Sequence, residues 1–266
     1  MNKEDLLKQA KDERYISGIY NYCDRWCERC PFTSRCMNFS IAEERFSDPE
    51  SRDMGNALFW QRVSETFQTT LELVKELAAR EGVDLDAVDI EKHAEQEAAE
   101  EALARNHKCC RMAMAYGDMV EEWFDAVGAI SEKRGDATGA QMQSEMPGGD
   151  VLGIKASCEE ALEVIRWYQH QIFVKLMRAV GGTLREEEEC SDDFAKDSDG
   201  SAKVALIGIE RSMGAWGELR GFFFQDGAKI GDILLRLEGL RRNVEEVFPT
   251  AKDFIRPGFD KVDLNS

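Results

Sequence analysis

Apolar side chains step by three and four residues through almost the whole of this chain, and no stretch shows the strict alternation of a half-buried strand. That periodicity predicts an all-α fold, a helical bundle of six or seven helices. Its strongest stretch opens at Ser157-x-x-Glu160, a capping box. Ala161, Ile165, Tyr168, Ile172, Leu176 and Ala179 form one face, and Trp167, His170, Val174 and Met177 form a second. A helix apolar on two faces belongs at the centre of a bundle. Gly181-Gly182 is expected to end it.

The other helices follow by the same reasoning. Leu6, Leu7, Ala10, Ile16, Ile19, Tyr20 and Cys23 fit a first helix. Ser47-Asp-Pro-Glu50 has the form of a helix start, and Trp60, Val63, Phe67, Leu71, Val74 and Leu77 continue from it to Gly82. Residues 86–105 carry only a thin alanine stripe and predict a peripheral helix. Met112, Tyr116, Met119, Trp123, Val127 and Ile130 make a stronger one, with a possible break near Asn106. Leu206, Ile209, Met213, Trp216 and Phe223 mark a further helix, and Ile230 through Val247 the last, before Pro249. Gly214, Gly217 and Gly221 recur on one side, which predicts close approach of another backbone. The core is expected from 50–81, 108–134, 157–180 and 202–248, the last as a hairpin. Residues 135–154 lack periodicity and are expected to form a long loop able to dock a partner. Residues 183–201 are rich in acid and are expected to be a mobile loop.

The chain has 266 residues and a formal net charge of -18. Such a surface repels phosphate backbones and anionic lipid, so neither nucleic acid nor a membrane is an expected partner. The charged start, Met-Asn-Lys-Glu-Asp, lacks the apolar core of a signal peptide, and no apolar run nears the roughly 20 residues that span a bilayer. A cytoplasmic location is expected, where clustered cysteines serve as ligands or catalysts more often than as disulfides.

Four of the eight cysteines fall within fourteen residues: Cys23, Cys27, Cys30 and Cys36, spaced C-x3-C-x2-C-x5-C. Were the first helix to run through them, Cys23, Cys27 and Cys30 would share one face at i, i+4 and i+7. Pro31 would then turn the chain and Cys36 return as the fourth ligand. Zinc sites usually gather two separated cysteine pairs, whereas compact runs are more typical of iron–sulfur cubanes. These four residues are therefore the expected ligands of a [4Fe–4S] cluster, with zinc as the alternative. Arg25, Arg29 and Arg35 interleave with them and offset the negative charge of a four-thiolate site. Trp26 and Phe32 can shield it from water.

Cys23-x3-Cys27-x2-Cys30 has the spacing of the cluster motif of radical S-adenosylmethionine enzymes. That motif belongs on a β/α barrel, for which this chain has no strands, and Arg29 stands where an aromatic is usual, so the enzymatic implication is not carried over. Cys27-Glu-Arg-Cys30-Pro-Phe-Thr-Ser-Arg-Cys36 resembles the C-x2-C-x5-C core of auxiliary iron–sulfur segments in radical maturase enzymes. The resemblance implies a cluster and says nothing of the function of the remaining chain.

Other candidates are weaker. His107, Cys109 and Cys110, with Cys158 or Cys190, could make a second site at a helix start. His170 could be a ligand, and with Glu210 could line an enzyme pocket. Glu163, Glu210 and Glu218 invite a di-iron reading, but no Glu-x-x-His occurs. His93 is expected to be solvated. Three segments are expected: 1–46 with the cysteine site, a bundle over 47–248, and a tail over 249–266 packed on the bundle. The leading function is electron transfer or redox sensing with a redox protein partner. The alternative is a zinc-stapled scaffold that binds another protein.

Overall fold

The computed structural model describes residues 3–87, 89–134, 151–186 and 192–260. Among them the fold is all-α, as the periodicity predicts, with no strand. The helices are α1 (Lys3–Ala10), α2 (Met37–Arg45), α3 (Pro49–Arg52), α4 (Ala57–Glu81), α5 (Ile90–Asn106), α6 (Lys108–Arg134), α7 (Val151–Glu186), α8 (Asp192–Arg220) and α9 (Gly227–Val247). None is long and apolar enough to cross a membrane. The chain forms two compact units, one from residues 1–96 with 255–266, the other from 97–254. The boundary expected at 46/47 thus falls inside the first unit, and the expected tail divides between the two.

The second unit holds the bundle. Tyr116, Val120 and Trp123 of α6, Ile165, Tyr168, Ile172 and Leu176 of α7, Ile209, Trp216 and Leu219 of α8, and Ile230, Ile233, Leu237, Leu240 and Val244 of α9 are all buried. Each such side chain contributes roughly 1.5–3 kcal/mol relative to exposure. Trp123 meets Trp216 and Phe223 edge to face, with ring centres 5.0 and 5.1 Å away. The expected central helix is confirmed in α7, but both of its expected ends are corrected. Its helix already runs from Val151, and the Ser157 hydroxyl bonds Glu218 Oε2 at 3.3 Å instead of capping. It passes through Gly181-Gly182 because α8 lies close there: a methyl on Gly182 would run into Ser198 Oγ.

The glycine expectation is also corrected. Nothing lies within 4 Å of a methyl placed on Gly214 or Gly217, and one on Gly221 meets only its own helix's Glu218 carbonyl. The close approach occurs at Gly208, where a methyl would stand 2.9 Å from Tyr168 Cδ1 and 3.1 Å from Ile172 Cγ1. The acidic loop expected over 183–201 is helical up to Glu186 and again from Asp192, and Arg178 pairs with Asp197 across α7 and α8. Its remainder, 187–191, lies outside the described residues, as does the loop expected over 135–154 up to residue 150; residues 151–154 are helical instead, the first turn of α7. α5 and α6 break at His107.

Polar contacts link the helices of the first unit. Lys3 of α1 pairs with Glu76 of α4, Gln9 of α1 bonds Glu44 of α2 at 3.2 Å, and Arg45 of α2 bonds Thr66 of α4. The single helix expected over 50–81 is two, because Asp53-Met-Gly-Asn56 breaks it. Gly55 N–H donates to Asp53 Oδ1, and Asn56 Oδ1 caps α4 through Leu58 N–H at 2.9 Å. Nor is α4 a core helix, for none of its residues is buried. Trp60, Phe67, Leu71, Val74 and Leu77 are 46–71% exposed, so the stripe that is clear in sequence is not buried.

Candidate functional site: the four-cysteine pocket

The segment that holds the cysteines is not a continuation of α1. After Ala10 the chain turns at Asp12, whose carboxylate accepts the Arg14 N–H at 2.9 Å, and again at Gly18 with φ of 72°. From there it proceeds by three short 3-10 turns, Ile19–Asn21, Cys27–Arg29 and Thr33–Arg35. The expected i, i+4, i+7 face therefore does not form. The loop is closed instead by a backbone bond from Ile16 N–H to the Arg35 carbonyl at 3.0 Å. Tyr15 also bonds Ser40 of α2, 2.9 Å apart.

This different route still brings the four cysteines to one pocket. Cys23, Cys27, Cys30 and Cys36 line one pocket, together with Tyr20, Trp26, Phe39 and Phe259. All four are half-buried free thiols. Burial raises the Cys27 thiol above its ordinary value, and negative charge on Cys23, Cys30 and Cys36 adds to it. Burial raises Cys30 as well, opposed by the Phe32 N–H, which donates to Cys30 Sγ at 3.4 Å. An amide aimed at sulfur stabilises thiolate, as sulfur ligands of a metal require. Cys36 occupies the N-cap of α2, where the helix dipole favours negative charge.

The span between the first two thiols is strained. Arg25 has φ of 58°, a left-handed conformation that costs a non-glycine residue about 1–2 kcal/mol. Asp24 Oδ1 accepts the Trp26 N–H at 3.2 Å, and Cys27 N–H reaches back to the Arg25 carbonyl at 3.0 Å. This tight turn directs the chain from Cys23 to Cys27 without a helix. Trp26 is buried, and the Arg29 guanidinium stacks 4.0 Å over its ring.

A wall of the pocket comes from the far end of the chain. Phe259 packs edge to face on Phe32, and Arg256 lies 5.0 Å over the Phe259 ring while paired with Asp260 at 2.9 Å. Gly258, with φ of 78°, lies against Ile16 and Ile19, where a methyl would stand 2.9 and 3.0 Å from their Cδ1 atoms. The sequence reading placed Phe259 on the bundle and so missed it as a site residue. Its only signal was the Pro257-Gly-Phe259 turn, which names no partner.

Among the described residues, no group of three or more His, Cys, Asp or Glu side chains is arranged to hold a metal ion, the four cysteines included.

The other candidates do not assemble. Cys109 and Cys110 are fully buried, and burial pushes their thiols to about 11 and about 12, the reverse of activation. Cys109 donates to Asn243 Oδ1 at 3.2 Å, while Cys158 is buried with its thiol likewise raised by burial. Cys190 lies outside the described residues. His170, Glu163, Glu210 and Glu218 are all exposed, so neither a buried pocket at His170 nor a di-iron site forms around them. His93 is exposed as expected. In comparison with known proteins, the chain matches no family model, no curated protein and no solved structure.

Proposed function

We propose that this protein binds a [4Fe–4S] cluster through Cys23, Cys27, Cys30 and Cys36 and acts in electron transfer or redox sensing in the cytoplasm. The observation that carries the reading is the convergence of all four free thiols on one pocket. The Phe32 N–H on Cys30 sulfur, the N-cap position of Cys36 and the aromatic walls support it. Four protein ligands leave no iron open to substrate, which suits passing an electron better than binding a reactant. Cluster potential would be set by the N–H···S bond, the arginines and the exclusion of water. Anaerobic purification tests the reading: a brown protein with broad absorption near 400 nm (a typical iron–sulfur charge-transfer band) that bleaches reversibly with dithionite supports it. A colourless protein with one tightly held zinc per chain refutes it.

A second reading is favoured by α4. Its exposed stripe of Trp60, Phe67, Leu71 and Val74 is the kind of surface that binds another protein. Under this reading the cysteines hold zinc, the metal staples the first unit, and the chain is a scaffold. Metal content and spectrum separate the two.

A further inference from the structure

We propose that Arg25, Arg29 and Arg35 form the docking rim for an acidic one-electron carrier protein, with Trp26 as the covered route between the four-thiol pocket and the surface. The inference rests on the cluster reading and names the partner of that site. In a chain of net charge -18, these three arginines are the only basic residues from Cys23 to Cys36, each one or two positions from a ligand cysteine. All three are exposed. Arg25 also lines the pocket itself, and is held there in a left-handed conformation that a non-glycine residue rarely adopts. Among the described residues, Arg25 and Arg35 make no ion pair. Two carboxylates lie between Cys23 and Cys36, Glu28 exposed and Asp24 half-buried at the pocket, so three arginines outnumber them at this rim while the protein at large is negative.

Trp26 supplies the second part of the argument. Its ring lines the pocket and is 6% exposed, and the Arg29 guanidinium lies over it at the surface. A carrier whose acidic face engages Arg29 therefore sits against the side chain that walls the thiols. Opposite charge around such a contact steers encounter and fixes orientation, and its effect fades with salt. The transfer moves a single electron: the carrier's reduced centre loses one, the cluster gains one, and no bond or proton moves. A net charge of -18 opposes an acidic carrier in general, and the rim offers it local attraction beside the pocket.

The test uses the full chain with its metal in place and an acidic ferredoxin as probe, with a basic cytochrome c and a single-stranded 20-mer oligonucleotide as comparisons. Metal content and spectrum are recorded first for every variant. The expected result is binding of the ferredoxin that weakens at least tenfold from 50 to 300 mM salt, and at least tenfold in R25N/R35Q at low salt. Asparagine tolerates the left-handed turn, and R35Q alone, whose side chain does not line the pocket, carries the same test with full iron if R25N/R35Q loses metal. R29E should weaken binding further and slow reduction of the cluster by the ferredoxin. Tighter binding of cytochrome c, binding of the oligonucleotide in place of ferredoxin, or unchanged affinity in R25N/R35Q with full iron content overturns the docking proposal and leaves the cluster reading intact. Salt-sensitive ferredoxin binding by a colourless zinc protein overturns the cluster reading and the electron transfer, and leaves the rim as a docking surface.

Discussion

Phe32 and Phe259 meet edge to face, 5.1 Å between ring centres and 82° between planes, although one follows Cys30 and the other lies near the chain's end. The pocket is thus walled by a residue that contributes no ligand. Replacing Phe259 with Ala should cost the first unit about 1–3 kcal/mol in lost burial and ring contact. It should also speed metal loss to a chelator several-fold. The rate of that loss, followed by absorbance, checks it; an unchanged rate would mean that the ring does not shield the site.

Cys27 sits between the other thiols in sequence and is influenced by all three. Cys27→Ser should abolish the 400 nm colour and lower bound iron below a tenth of the wild-type content (an expected loss of one of four required ligands). Cys109→Ser, which changes a buried thiol bonded to Asn243, should leave the colour in place. Equal iron in both variants would remove Cys27 from the ligand set.

Metal uptake should depend on pH in a defined direction. Cys27 and Cys30 are raised by burial, so both are protonated near neutral pH and must lose protons to bind. Apparent affinity should therefore climb with pH up to the thiol range, and fall on acidification by up to about tenfold per pH unit for each proton released. Titration of the apoprotein with zinc, as a spectroscopically simple probe, at pH 6, 7 and 8 measures the slope. A flat profile would contradict protonated ligands.

Thiol labelling should divide the cysteines into two groups. With thiols at about 11 and about 12, Cys109 and Cys110 are ionised to roughly one part in a thousand or less at pH 8 and are buried. In the folded apoprotein, iodoacetamide should modify Cys23, Cys27, Cys30 and Cys36 and spare Cys109, Cys110 and Cys158. Mass spectrometry of the digested protein reads this directly.

Two glycines of α8 should respond oppositely to alanine. Gly208→Ala drives a methyl to 2.9 Å from Tyr168 and 3.1 Å from Ile172, and should destabilise the bundle by about 1–3 kcal/mol. Gly214→Ala meets nothing within 4 Å and should stabilise the helix by up to about 1 kcal/mol. Urea melts of both variants decide it.

The all-α class, the central position of α7 and the identity of the four thiols were legible in the chain alone. Each is carried by local pattern: apolar spacing of three and four, and four cysteines too close together to reach distant partners. The elements that failed were those whose outcome depends on a distant neighbour. The Gly181-Gly182 pair ends a helix in isolation, yet α7 passes through it where α8 packs closely. The stripe of α4 has the pattern of a core helix but remains exposed, because periodicity records an apolar face and not whether anything covers it.

The cysteine segment shows the same division at the scale of a site. Its sequence set which sulfurs could meet, since fourteen residues cannot carry them far apart. Tertiary structure decided how they meet: through three short turns and a left-handed Arg25 in place of a helical face, closed by the Ile16–Arg35 backbone bond. It also brought Phe259 to the pocket wall through Gly258 packed on Ile16 and Ile19. Which thiols can line one pocket is local chemistry, written in residue type and spacing. The shell around the thiols is long-range packing, and it exists only once Phe259 and the cysteine segment have folded together.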